Sequence, residues 1–339
     1  MASVGSQISA ADYNAIRNKI IAVMGTGTTN PTTGVTDYKF GYGQQLMSSA
    51  VSEGQTITRA QFENLKNDIL NARLHQDGTS PTVTTVNSGD VIRYGATHPI
   101  TQYDSLTTTA IANKFNLGTG YFSTVAVKDS GGTDLVMPIT RTTSWSSAVS
   151  CTVTVTFPSS DAMRYFFNSG GRVNFNSSRT GGASSSQNTI WSSTLTSAGT
   201  QGLGAANSGN QGVNFYNLTT SDQIWYSITS SAPYASNTWR LRARLVSGAV
   251  GTSTFTATSI VFTITWTDGY TDPDTNAGNP ALTNPPADVV DGTLNLTVTQ
   301  TYAGSTAGIN LLPIVTPPTV QPVWTITLPT YSNTAISGS

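Results

Sequence analysis

The sequence predicts a mainly β protein: an N-terminal helical module with a duplicated helix, followed by an antiparallel β-sandwich or jelly-roll-like body. Three observations carry this prediction. A helix start is duplicated near the N-terminus. From about residue 140 onward, apolar residues alternate with Thr and Ser at a period of two, as on a half-buried strand. Between those stretches stand Gly, Asn and Pro, the residues of turns. On this pattern the chain divides into a helical attachment module (residues 1–85), a connector (86–140), a β-sandwich (141–270) and a Pro-rich β tail (271–339). The tail is expected either to complete the sandwich or to contact a neighbour.

The duplicated stretch runs from Gly5 to Ile20 and recurs 49 residues later from Gly54 to Ile69. Ser9 and Thr58 hold the N-cap positions, with Asp12 and Gln61 three residues on, the spacing of a capping box. Ile8 before the first cap faces Tyr13, and Ile57 before the second faces Phe62, as a hydrophobic staple does. Tyr13, Ile16 and Ile20 then share one helix face, and Phe62, Leu65 and Ile69 share another. Isolated helices of roughly 12–15 residues are marginal in water, so the two need each other or a partner. These eight apolar residues form the candidate docking and packing set. One reading has the pair closing its own core through the turn Gly41–Leu46; the sharper one makes it also a docking module for an oligomer or a larger particle.

The connector begins with a Thr-rich extended stretch, Ser80–Val86, and a short helix is expected from Ser105 to Asn116, ending before Gly118. In the body, Cys151, Val153, Val155 and Phe157 make one apolar strand face. Trp239, Leu241, Ala243 and Leu245 make a second, and Ile260, Phe262, Ile264 and Trp266 a third. Leu294, Leu296 and Val298 follow, then Trp324, Ile326 and Leu328. A hairpin is expected from Met163–Asn168 and Arg172–Asn176 around Ser169-Gly170-Gly171, where glycine supplies positive φ. The Ser/Gly-rich run from Ser177 to Gln187 reads as a surface loop.

Composition narrows the function. Charged residues are 10% of the 339, against about 25% in an average soluble domain, and no Glu follows Glu63 and no Lys follows Lys128. A surface without long charged side chains suits contact with other subunits. A net charge of −1 supplies no field toward nucleic acid or an anionic membrane. One Cys and two His exclude a disulfide framework and a four-ligand Cys/His zinc site. The start, Met1–Ser6, lacks the basic and apolar regions of a secretory signal, and no run approaches the roughly 18 apolar residues of a membrane span.

Candidate chemistry is sparse. Asp272-Pro273-Asp274-Thr275-Asn276-Ala277-Gly278 resembles the start of a calcium loop, but Ala277 stands where Gly is wanted and Thr283 where the bidentate Glu belongs, so it reads as a solvated turn. Cys151, on an alternating strand, reads as a core residue. His75 and His98 have no motif companions and read as satisfied surface or interface histidines. Arg240, Arg242 and Arg244 project from one strand face, where three like charges call for Asp partners on an adjacent strand or subunit, or for a polyanion. The β body has no Glu for glycoside cleavage, although Asp pairs could serve. No serine-hydrolase elbow, zinc-protease helix or P-loop sequence is present. No catalytic, cofactor or metal residue is therefore assigned.

Across Tyr165-Phe166-Phe167-Asn168-Ser169-Gly170-Gly171-Arg172-Val173-Asn174-Phe175 the chain resembles virion structural proteins of tailed bacteriophages, particularly aquatic ones. Trp191, the Gly212–Tyr216 stretch and the Tyr226 region fit the same likeness, and the head is similar to repeated units in such proteins. The resemblance implies a tail, neck or fibre component without catalytic residues. It would be a homo-oligomer, as a trimer, that joins other virion proteins, with a host surface glycan as a further partner and neither nucleic acid nor membrane among them. Localisation would be the virion, after assembly in the host cytoplasm. A capsid decoration protein and a carbohydrate-binding or depolymerising module are the alternatives. A β body that folds without residues 1–80 is also expected.

Overall fold

The computed structural model describes residues 8–95, 98–118, 122–206, 209–270, 289–303 and 323–331. Among the described residues, two antiparallel sheets and five α-helices make up the fold. It is mixed α and β, because two of the helices lie within the stretch expected to be all β.

Both duplicated helix starts form as their caps dictate. Helix α1 (Ala10–Met24) opens on Ser9, whose Oγ accepts from Asp12 N at 3.2 Å while Asp12 Oδ2 accepts from Ser9 N at 2.9 Å. Helix α2 (Arg59–Asp77) repeats the exchange between Thr58 and Gln61 and ends on Gly78, in the left-handed region at φ 73°. Each cap contributes roughly 1 kcal/mol. Helix α3 (Pro99–Ala112) starts six residues earlier than the periodicity suggests, with Pro99 in its first turn. It lies in the expected connector, yet Ile100, Tyr103 and Ala110 are buried in the core of the head. There Tyr13 meets Phe62 edge-on at 5.5 Å, and Phe62 meets Tyr103 at 6.3 Å.

Sheet 1 runs β1 (Phe122–Ala126), β9 (Thr293–Ala303), β4 (Arg172–Thr180), β5 (Gln201–Gly204), with β2 (Ile139–Arg141) also paired to β9. Sheet 2 runs β10 (Val323–Tyr331), β3 (Ala148–Thr156), β8 (Ser259–Thr267), β7 (Thr238–Leu245), β6 (Gln223–Thr229). The three alternating faces meet in register: Val149, Cys151, Val153 and Val155 lie opposite Trp266, Ile264, Phe262 and Ile260, which in turn oppose Trp239, Leu241, Ala243 and Leu245. All twelve side chains are buried. Sheet 1 packs on this layer through Phe175 on Phe262 at 4.9 Å, and Trp266 Nε1 donates to Ser177 Oγ at 2.9 Å. Three pairings nest: β4 with β5, β3 with β8, and β1 with β9.

Two local expectations fail. Met163–Asn168 is not a hairpin strand but most of helix α4 (Ser160–Asn168), capped by Ser159 Oγ accepting from Ala162 N at 3.0 Å. Met163, Phe166 and Phe167 are spaced i, i+3, i+4, and that helical period brings all three into the core. Ser169-Gly170-Gly171 then joins helix to strand, and a side chain at Gly170, at φ +90°, would press against Leu117. Ser177–Gln187 is not one surface loop either. Its first part completes β4, and helix α5 (Ser186–Ala198) begins after the cap Ser185, burying Trp191 and Leu195. Among the described residues no helix is long and apolar enough to cross a membrane. The Asp272–Asn276 loop lies outside the described residues.

Candidate docking surface and the head–body junction

The capped starts of α1 and α2 open onto one groove of about 900 Å³. Ile8, Ala10 and Asn14 line it from the first copy, Ile57 and Phe62 from the second, and Val51 and Ile92 close the apolar surface between them. The segment before α2 is fixed by side chains that the repeat does not share. Asn14 donates to Val51 O at 2.7 Å and accepts from Val51 N at 3.0 Å, and Arg17 Nε donates to Ser48 O at 3.0 Å. The buried Asp68 carboxylate accepts from Met47 N and Ser48 N at 3.0 and 2.9 Å.

The candidate docking set separates accordingly. Tyr13, Ile16, Ile20, Phe62, Leu65 and Ile69 are at most 1% exposed and pack the head's own core. Only the staple residues Ile8 and Ile57 remain half-buried, on the groove. The staple position therefore faces both inward, to its helix, and outward.

Arg240, Arg242 and Arg244 are half-buried on the outer face of sheet 2. Arg244 Nε lies 3.6 Å from Asp222 Oδ1, just before β6, and Arg242 donates to Thr265 Oγ1 at 3.3 Å. Opposite Arg240 stand Thr265 and Ser227 rather than a carboxylate. Among the described residues the expected Asp partner is present for one arginine of three. Around them the outer strand positions carry Ser150, Thr152, Thr154, Thr263 and Thr265.

Sheet 1 has a comparable outer face. A neutral cleft of about 440 Å³ is lined by Thr124, Asn174, Asn176, Thr297, Thr299 and Thr301. Asn174 Nδ2 donates to Thr301 Oγ1 at 2.7 Å, across β4 and β9.

A buried polar junction between head and body carries signals that single-residue motifs do not reveal. The fully buried Arg164 on α4 donates through Nη1 to Gly27 O at 2.9 Å and through Nη2 to Asp161 Oδ1 at 2.9 Å and Tyr165 OH at 2.6 Å. Its guanidinium lies 4.2 Å from the Tyr165 ring centre. One turn on, Asn168 Nδ2 donates to Phe40 O at 3.0 Å and Gly41 O at 3.1 Å, and its Oδ1 accepts from Tyr216 OH. The loop between α1 and α2 thus closes over α4. Gly43, at φ +76°, admits the Tyr165 ring where a Cβ would stand 2.5 Å away.

His75 belongs to this junction and not to the surface. It is 2% exposed, its ring packs 4.8 Å from that of Tyr42, and its Nε2 lies 2.8 Å from Ser169 O. A carbonyl can only accept, so Nε2 carries the proton. Burial pushes its pKa from 6.5 down to about 4. His98 caps α3 without a side-chain bond and is half-buried.

Cys151 is buried, and desolvation pushes its thiol up to about 12, so it is not a thiolate at neutral pH. Among the described residues no three His, Cys, Asp or Glu side chains are grouped so as to hold a metal ion. Compared with known protein families, curated proteins and solved structures, the chain matches none.

Proposed function

We propose that this chain is a non-enzymatic structural component of a tailed-bacteriophage particle, in the neck, tail or fibre. In this reading it attaches through its helical head and projects the β body. The observation that carries the reading is the outer surface of the two sheets, tiled mostly with Thr, Ser and Asn around Arg240, Arg242 and Arg244 on sheet 2 and Arg172 on sheet 1. Ordering a Lys or Glu side chain costs up to roughly 2 kcal/mol of rotamer entropy, and these short side chains forfeit far less when a neighbour covers them. Such faces suit repeated contact in a homo-oligomer, a trimer in this proposal, and with other virion proteins.

The nested pairs β4–β5, β3–β8 and β1–β9 alternate between the sheets, as in a long hairpin folded over itself. That order supports a jelly-roll-like body with β6 and β7 added at the edge of sheet 2. The neutral cleft on sheet 1 favours a second reading, a glycan-binding module. A glycan array separates it from the first, and sugar released on any hit would overturn the non-enzyme reading. For the first, cryo-electron microscopy of purified particles should place the β body in the neck, tail or a fibre. Density on the capsid shell alone, or none, would sink it.

A further inference from the structure

We infer that the groove between the two helix starts is the attachment site itself, and that it takes an apolar segment flanked by lysine or arginine on a partner protein. This rests on the docking role proposed for the head and specifies its chemistry. The groove's apolar surface comes from the half-buried Ile8, Ile57 and Ile92 over a floor of buried Val51 and Phe62, with Val91 beside them 55% exposed. Among the described residues Glu53 and Asp90 are its only charged lining residues, and both are exposed. Charge complementarity therefore selects a basic partner.

The helix starts do not redirect the site toward anions. The Asp12 and Gln61 side chains already accept from the cap amides, and Ser9 and Thr58 accept from the third amide of each helix. What remains open is the apolar surface, at the two equivalent staple positions. A ligand with side chains spaced to reach both gains affinity from each, while the rim carboxylates set its polarity.

The test uses the full chain and two fluorescein-labelled peptides, each with a short Leu/Ile core. One core sits between lysine pairs, the other between glutamate pairs. Fluorescence anisotropy should show saturable binding of the lysine peptide, with the glutamate peptide about tenfold weaker. A Glu53→Lys, Asp90→Lys double variant, altered only at exposed positions, should invert that preference. Ile57→Asp should weaken both peptides by about tenfold or more. No saturable binding of the lysine peptide, or an unchanged preference in the double variant, overturns the inference.

Incorporation into particles separates this idea from the broader one. If the wild-type chain enters particles and the double variant enters equally well, the groove is not the attachment site, while the virion role stands. If the wild-type chain never enters particles, the virion role falls, and the peptide data alone decide what the groove binds.

Discussion

Arg164 and His75 lie at the same junction and respond to different perturbations. Arg164 holds two elements together with a charge that no water reaches. Replacing it with Met leaves the carbonyl of Gly27 without this donor, so Arg164→Met should lose on the order of 3 kcal/mol in urea unfolding. Arg240→Met, on the half-buried outer face, should change stability by less than about 0.5 kcal/mol. His75 is neutral in the fold because its folded pKa is about 4, below the usual 6.5. Between those values the unfolded chain binds more protons than the folded one. Its contribution is therefore complete above pH 6.5 and is lost as pH falls toward 4, at up to ~1.4 kcal/mol per pH unit. His75→Gln should flatten that slope in denaturation measured from pH 7 to 4.5. An equal slope in the variant would assign the pH dependence to other groups.

At the scale of elements, β3, β7, β8, β9 and β10 were legible because each alternates apolar residues mainly with Thr, Ser or Arg, and one such face has a single burial solution. The short β1, β2 and β5 and the irregular β6 carry no such alternation and were not anticipated. Helices α4 and α5 were not legible either. In α4 the contiguous run Tyr165-Phe166-Phe167 hides the i, i+3, i+4 spacing of Met163, Phe166 and Phe167, and α5 is built largely from Ser and Thr, which are weak helix formers. Their signals were the caps Ser159 and Ser185 and the pair Trp191 and Leu195 at i, i+4. Ser159→Ala and Ser185→Ala should each lower stability by roughly 1 kcal/mol. Trp191→Ala, at a fully buried ring that meets Trp145 at 4.9 Å, should cost about 3–5 kcal/mol in the same assay.

For the whole molecule, the junction revises the expectation that the β body folds alone. Removing residues 1–80 deletes the carbonyls of Gly27, Phe40 and Gly41 that Arg164 and Asn168 donate to, and strips His75 from Ser169. The truncated chain should therefore unfold at lower urea concentration than the full chain, or collapse without a cooperative transition. The full chain should unfold in one transition, because head and body share buried polar groups. A truncated body as stable as the intact protein would show that the junction contributes little.

By itself, the sequence determined the local devices of this protein: two matched helix starts, their caps and staples, the strand faces around Cys151 and Trp239, and a surface short of Lys and Glu. Those depend on neighbours within a few residues, where period and capping chemistry are complete statements. Tertiary structure alone decided that the staples Ile8 and Ile57 share one groove, that α3 belongs to the head, and that loop carbonyls at residues 27 and 40 accept from an arginine at 164. The physical reason is sequence separation. A buried polar group takes whichever partner the folded chain brings within hydrogen-bond reach, and no local pattern encodes a contact 124 residues away.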